Sequence, residues 1–185
     1  MASAVEVEIK FKIKNIKALT RKLRAAGFRV VTQRTHEMNT LYDLPGQPLR
    51  QRGEVFRLRK YGNRWTVTFK AKGKVGRHKS RKEIETRVED GRCFAEIVEA
   101  TGFTPSFRYE KFRTEWTDGK GHIVIDETPV GNFGEIEGLA RWIDAVARRL
   151  EITPDQYITD SYAVLFLKWR QQTGSQATDM LFKNQ

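Results

Sequence analysis

Five pairs of like charges, each two residues apart, mark this 185-residue sequence: Glu6/Glu8, Arg57/Arg59, Glu83/Glu85, Lys111/Arg113 and Glu135/Glu137. The residue between the two charges is apolar every time: Val7, Leu58, Ile84, Phe112 and Ile136. That alternation is the period of a β-strand, whose side chains point to opposite faces in turn. Side chains two apart on a strand sit about 6.6 Å apart at the backbone. Like charges at that spacing repel by roughly 0.6 kcal/mol in water and about 2.5 kcal/mol at an effective dielectric of 20. An open surface tolerates this. An enclosed cavity calls for a compensating ligand: hard cations such as Mg²⁺ or Mn²⁺ for carboxylate pairs, phosphates for Arg and Lys pairs. A space lined by both would hold a metal-bound polyphosphate, where chemistry is mostly positioning and charge neutralisation. The plain alternative is an open sheet with one solvated face. Such faces mix Ser, Thr, Gln and Asn with their charges, so same-sign pairing argues for enclosure.

The elements that must position these residues can be read along the chain. Residues 5–14 alternate without a break, with Val5, Val7, Ile9, Phe11 and Ile13 on one face and Glu6, Glu8, Lys10, Lys12 and Lys14 on the other. Asn15 is suited to cap a helix in which Ile16, Leu19, Leu23 and Ala26 recur, and Gly27 to stop it. Residues 28–33 and 35–43 read as two strands, and 44–53 as a loop rich in turn residues. Residues 54–61 and 64–71 form a hairpin across Gly62-Asn63. It places Arg57 and Arg59 opposite Phe56 and Leu58, and Lys70 opposite Phe69. Residues 73–76 read as a basic mobile loop. The strand 80–88 carries Glu83, Glu85 and Arg87 on its polar face, to which Lys82 is also assigned. A helix over 90–100 is followed by strands 107–117, 121–127 and 132–137. These carry Lys111 and Arg113, then Asp126 with His122, then Glu135 and Glu137. Helices are expected over 139–150 and 161–172. The stretch 173–185 has no period and is expected to be poorly ordered beyond one domain spanning 1–172. Many antiparallel strands with interspersed helices indicate an α+β fold, and their number permits a closed barrel. The apolar outside of such a barrel would need helices to cover it.

Composition narrows the function. Lys and Arg exceed Asp and Glu to give a formal charge of +11, which favours an anionic partner. One cysteine, Cys93, leaves no intrachain disulfide, and with three histidines makes a Cys/His zinc site improbable. Cys93 reads as a small core residue, His36 and His122 as hydrogen-bonded or rim residues, and the four tryptophans as packing between barrel and helices. No Walker A, GxGxxG or HExxH sequence occurs. No apolar stretch reaches the ~20 residues that span a bilayer, and the start lacks signal-peptide character. A cytoplasmic protein with no membrane contact is the expectation.

The charged residues also carry a resemblance. Glu6-Val7-Glu8-Ile9-Lys10 resembles the ExExK signature of CYTH domains, the triphosphate tunnel metalloenzymes. In order follow Arg57-Leu58-Arg59, the strand ending Phe69-Lys70, Glu83-Ile84-Glu85, Lys111-Phe112-Arg113, Ile125-Asp126, Phe133-Gly134-Glu135-Ile136-Glu137 and a helix start at Ser161-Tyr162. The resemblance spans about residues 5–170. It implies an eight-stranded antiparallel β-barrel with a polar tunnel, covered outside by helices. It implies divalent metal, Mg²⁺ or Mn²⁺, at Glu6, Glu8, Glu135 and Glu137, with Asp126 a further candidate. Lys10, Arg57, Arg59, Lys70, Lys111 and Arg113 become triphosphate contacts, and Lys10, Lys70, Lys111 and Asp126 the candidate catalytic set. Glu83 and Glu85 stand between metal and substrate roles. A homodimer is compatible with the family. Chain length and the stretches His36-Glu37, Tyr42-Asp43 and residues 102–111 are most similar to the class IV adenylyl cyclase branch, which makes cyclic AMP and pyrophosphate from ATP. Other branches hydrolyse inorganic tripolyphosphate or thiamine triphosphate. Asp160, just before the last helix, matches neither the Lys of several hydrolases nor the Arg of cyclases. A third reading is a polyanion- or RNA-binding module, supported by the charge and by the basic stretches 21–24 and 77–82. Basic runs are more often solvated faces, and no aromatic RNA-binding motif interleaves with them.

Overall fold

In the computed structural model of the chain, residues 4–183 are described, with side chains from residue 7 onward except that of Val75. The elements in order are β1 (Ala4–Lys12), α1 (Ile16–Ala25), β2 (Arg29–Asp43), α2 (Pro48–Gln51), β3 (Val55–Tyr61), β4 (Arg64–Lys70), β5 (Lys74–Val75), β6 (Lys79–Val88), α3 (Gly91–Ala100), β7 (Thr104–Thr117), β8 (His122–Thr128), β9 (Gly131–Glu137), α4 (Ala140–Arg149), a 3₁₀ turn (Pro154–Gln156) and α5 (Tyr162–Thr173). The strands pair antiparallel in the order β1-β9-β8-β7-β2-β3-β4-β6. Strand β6 then returns to β1, from Ala4↔Glu83 to Glu8↔Lys79, and closes eight strands into a barrel. Closure removes the open sheet edge and gives every strand an inner and an outer face.

The outer face is apolar and covered. Ile9, Phe11 and Ile13 of β1 and its flank, Ile123 and Ile125 of β8, and Ile136 of β9 are buried against Leu19 and Leu23 of α1 and Ile143, Val146 and Ala147 of α4. Each such side chain contributes roughly 1.5–3 kcal/mol when fully buried. On the far side Leu58 and Tyr42 pack with Val98 and Phe94 of α3. Asn15, Asp90 and Ser161 cap α1, α3 and α5 through their side chains. All four tryptophans pack into these layers, as their sequence context suggests. No helix among the described residues is long and apolar enough to cross a membrane.

Several expectations are corrected. Residues 28–33 and 35–43 are not two strands. They form the single strand β2, whose pairing with β7 shifts register between Val30 and Thr32 and again between Thr32 and Thr35. The bulges absorb the break in alternation that reads as a strand boundary. The expected basic loop at 73–76 contains β5, a two-residue ladder pairing Lys74 with Ser80 and Val75 with Lys79. The stretch beyond Thr173 is docked along β7. Met180 is 1% exposed, its N–H donates to the Arg108 carbonyl and its carbonyl accepts from Glu110 N–H. Asp179 accepts from Arg108 N–H at 2.7 Å, and the Phe182 ring lies tilted against Phe112 with centroids 5.3 Å apart. Two backbone bonds and one buried side chain hold a segment that shows no period of its own. Cys93 is exposed rather than in the core.

Candidate functional site

The inner face of the barrel encloses a cavity of about 750 Å³. Lys10, Arg57, Arg59, Lys70, Lys111 and Arg113 line it, together with Glu8, Glu135 and Glu137. Lys10 is only 4% exposed and Lys111 2%. Ionised groups so deeply buried are held only when paired and hydrogen-bonded, and the pairing is extensive. Arg113 grips Asp126 with two parallel bonds of 2.7 Å, and its second nitrogen also reaches Glu135 at 2.6 Å. Lys111 donates to Asp126 at 2.8 Å and lies 3.4 Å from Glu37. Lys10 stands 3.2 Å from Glu135 and donates to the Asp160 carbonyl at 3.1 Å. Across the barrel Lys70 pairs with Glu83 at 2.7 Å, and Arg57 donates to Thr68, which donates to Glu85.

The strand register explains this wiring. Glu135 lies opposite Lys10 across β1 and β9, Asp126 opposite Arg113 across β7 and β8, and Glu83 opposite Lys70 across β4 and β6. Cross-strand opposites of unlike charge are the stabilising arrangement.

The proton affinities follow from this field. Burial disfavours the Glu135 carboxylate, but Lys10 foremost, then Arg113 and Lys111, outweigh it and hold the group well below the ordinary carboxylate range. Glu37 is likewise held low against its burial by Arg59, Lys111 and Arg113. Burial opposes the Lys10 ammonium too, yet Glu135 and Glu8 raise its pKa. Lys79 behaves in the opposite way: burial, then Arg81, pull it below the usual lysine value. The Tyr109 phenol, fully enclosed, is nevertheless lowered by Arg57 and Lys111. Two guanidinium nitrogens, Arg57 Nε and Arg59 Nε, are buried without a hydrogen bond. A buried donor left unmade costs about 1–3 kcal/mol; Arg59 Nε faces the Glu37 carboxylate at 3.6 Å, beyond hydrogen-bond range.

A model of the CYTH domain matches residues 4–162. The chain belongs to the CYTH domain family. A candidate adenylate cyclase of Methanocaldococcus jannaschii is 26% identical over 172 residues, covering 87% of this chain and 98% of its own. The solved structure of a candidate adenylate cyclase from Vibrio parahaemolyticus shares the fold at a TM-score of 0.79 and 21% identity, covering 90% of this chain and 99% of that one. A Hippeastrum protein, described as a candidate adenylyl cyclase with a dominant triphosphatase activity, shares it at a TM-score of 0.65 and 17% identity, over 88% and 95% of the two chains.

Within this CYTH barrel the sequence-derived site residues separate into three groups. The six basic residues converge on the cavity, as do Glu8, Glu135 and Glu137. Glu83, Glu85 and Asp126 do not line it. Glu83 and Glu85 stand behind Lys70 and Arg57, while Asp126 is wholly buried and receives Lys111, Arg113 and the Tyr162 hydroxyl, the last at 2.6 Å. Asp126 thus accepts from two bases and a phenol at once, and a metal there would have to displace these donors. Glu6 pairs with Arg81 in the β1–β6 ladder, and its side chain lies outside the described ones.

Sequence reasoning missed other residues. Glu37, 0% exposed, and Asn39 share an inner face, and Asn39 donates to Glu37 at 2.9 Å. Their spacing of two on β2 was the available signal, masked by a neutral partner. Lys79 and Arg81 line the cavity instead of forming an outer basic patch. By alternation Arg81, not Lys82, shares the face of Glu83, and Lys82 is exposed.

The residues present fit a divalent cation. Glu8 and Glu137 are direct partners across β1 and β9, and both line the cavity. Like charges placed opposite each other destabilise a sheet unless neutralised; Lys79, 3.6 Å from Glu8, is one cation that does so. Among the described residues no three acids or histidines are grouped tightly enough to hold a metal alone. One or two carboxylates completed by substrate phosphates is the habit of Mg²⁺ rather than of a caged structural ion.

Proposed function

We propose that this protein is a divalent-metal-dependent enzyme acting on a triphosphate bound inside the barrel, and that its reaction is that of a class IV adenylyl cyclase. The observation that carries the triphosphate reading is the convergence of Lys10, Arg57, Arg59, Lys70, Lys111 and Arg113 on one enclosed space, with Glu8 and Glu137 facing each other in its wall. A triphosphate is the small anion long enough to meet bases contributed by so many strands. The fixed donors act without reorganising, which is where most of the rate enhancement of phosphoryl transfer resides.

Glu8 and Glu137 would hold the Mg²⁺ or Mn²⁺, with Glu135 beside them, and the cation would neutralise charge on the phosphate chain. Arg113 and Lys111 are kept extended by Asp126 and Glu37, so their charge is aimed at the substrate before it arrives. Lys10, pinned by Glu135 and the Asp160 carbonyl, stands where the basic and acidic walls meet. In cyclisation the ribose 3′-oxygen bonds to the α-phosphorus, the bond to pyrophosphate breaks and the 3′-hydroxyl proton is given up. The binding residues must therefore hold the ribose in line with that bond.

The name borne by the M. jannaschii relative favours cyclisation. The triphosphatase activity attributed to the Hippeastrum protein favours the second reading, hydrolysis of a triphosphate by water. Incubation of the protein with ATP, tripolyphosphate and thiamine triphosphate in turn, with Mg²⁺ or Mn²⁺ and the products resolved, separates them. Cyclic AMP with pyrophosphate is the expected outcome, orthophosphate would establish the hydrolase, and no product from any of the three would end the enzyme reading.

A further inference from the structure

Strand β8 pairs with β7 only from Phe112 to Thr117. Ahead of Phe112, that side of β7 has no named strand beside it among the described residues. Its backbone N–H and carbonyl groups still need partners, and the segment beyond α5 supplies them. Arg108 N–H donates to the Asp179 carboxylate, Met180 N–H to the Arg108 carbonyl, and Glu110 N–H to the Met180 carbonyl. Phe182 N–H donates to one oxygen of Glu110, whose other oxygen lies 2.7 Å from His36 Nε2. Thr178 of the same segment lines the cavity, and the Ser175 carbonyl accepts from Arg170, which lines it too. All of the segment lies beyond residue 162, where the match to the family model ends.

The segment reaches the charged wall through Met180. This side chain, 1% exposed, belongs to one apolar cluster with Tyr109, Phe133, Tyr162 and Phe166. Two of these rings meet the bases of the cavity. The ammonium groups of Lys10 and Lys111 both lie over the Tyr162 ring, 4.6 and 4.7 Å from its centroid. Tyr109 stacks on Tyr162 with centroids 5.8 Å apart. An ammonium is drawn to an aromatic face, most strongly where water is excluded, so the position of the Tyr162 ring fixes where two charges stand. Interiors are close-packed, and a void left behind a ring is felt by the groups in front of it. A tail that only covered apolar surface would add stability and nothing else.

We propose that residues 175–183 are a strap that sets the affinity of the cavity for phosphate, with Met180 a positioning residue that seats Tyr162 beneath Lys10 and Lys111. The inference rests on the triphosphate reading above. The strap binds no phosphate through Met180 itself; it holds the ring on which two of the bases rest.

The test measures the affinity of the full chain and its variants for inorganic tripolyphosphate by calorimetry. Chelator is present, so that no turnover intervenes, and the temperature is well below every melting point. Met180→Ser is expected to bind about tenfold more weakly than the parent. Met180→Leu, which refills the volume, should return to within about twofold of it. Leu150→Ala, in the separate apolar cluster of α1 and α4, is expected to lower the melting temperature and leave the affinity unchanged. Parental affinity in Met180→Ser, or an equal loss in Leu150→Ala, would overturn the role of the strap while leaving the triphosphate reading intact. Should Met180→Ser not fold, Asp179→Ala/Phe182→Ala loosens the strap without emptying the core. A loss of about threefold is then expected, and unchanged affinity would overturn the proposal. A parent that binds no tripolyphosphate would overturn both.

Discussion

Glu37 is the residue on which the basic wall of the cavity is hung. Its carboxylate lies 3.4 Å from Lys111, 3.6 Å from Arg59 and 3.8 Å from Arg113, with no exposure to solvent. Glu37 and Glu135 both have depressed pKa values in the fold. An acid of this kind gives stability that is present above its unfolded value, near 4.3, and lost as the pH falls toward the folded value, because the unfolded chain then takes up protons that the folded one refuses. Melting temperatures are therefore expected to hold between pH 6 and 8, to judge by these two groups, and to drop below about pH 4.3. Glu37→Gln should cost about 3–5 kcal/mol at pH 7 in urea melts, since it leaves buried cations short of a partner. It should also flatten the acid limb. An acid limb unchanged in the variant would show that Glu37 is not one of its sources. Legibility in the sequence was uneven at this scale. Glu135 and Arg113 announced themselves by same-sign pairing; Glu37 did not, because its partner on the inner face is the neutral Asn39.

At the scale of elements, the contact between β1 and β9 decides whether Lys10 and Glu135 meet. Gly134 lies opposite Phe11 in this ladder, and a methyl group there would stand 2.2 Å from the Phe11 ring. Nothing larger than glycine lets the two strands keep their separation with Phe11 in the core beneath α1 and α4. Gly134→Ala is expected to destabilise by about 1–3 kcal/mol, the usual cost of overpacking, and to weaken triphosphate binding through the displaced Lys10. Gly134→Ala combined with Phe11→Leu should recover part of the stability. A single variant as stable as the parent in chemical denaturation would refute the close-approach argument. The bulged β2 shows the opposite relation between sequence and element. Its broken alternation reads as two strands, and only the partner strand β7 reveals that the chain runs on through the bulges.

For the whole molecule, the barrel sets six bases around one cavity, so an anion that fits it should stabilise the native state alone. ATP with Mg²⁺ at a hundred times its dissociation constant would add about 2.7 kcal/mol, which for a chain of this size corresponds to a rise in melting temperature of roughly 5–11 °C. The same scale separates enzyme from nucleic-acid module. Turnover should end with chelator, whereas RNA binding driven by the +11 charge would collapse with added salt. A melting curve indifferent to millimolar nucleotide would count against the tunnel as a triphosphate site.

The sequence by itself determined the alternation of charge with apolar residue, and through it the strands, their polar faces and the family to which the chain belongs. That information is local: a period of two places a side chain on one face without reference to any other strand. Only the tertiary structure decided which charged faces look into the cavity and which residues stand behind them. It withdrew Asp126, Glu83 and Glu85 from the wall, brought Lys79, Arg81 and Glu37 to the interior, and laid α5 and the segment beyond it against β7. Those outcomes depend on strand register and on closure of β6 against β1. Register is fixed by contacts between residues far apart in the chain, which no local pattern records.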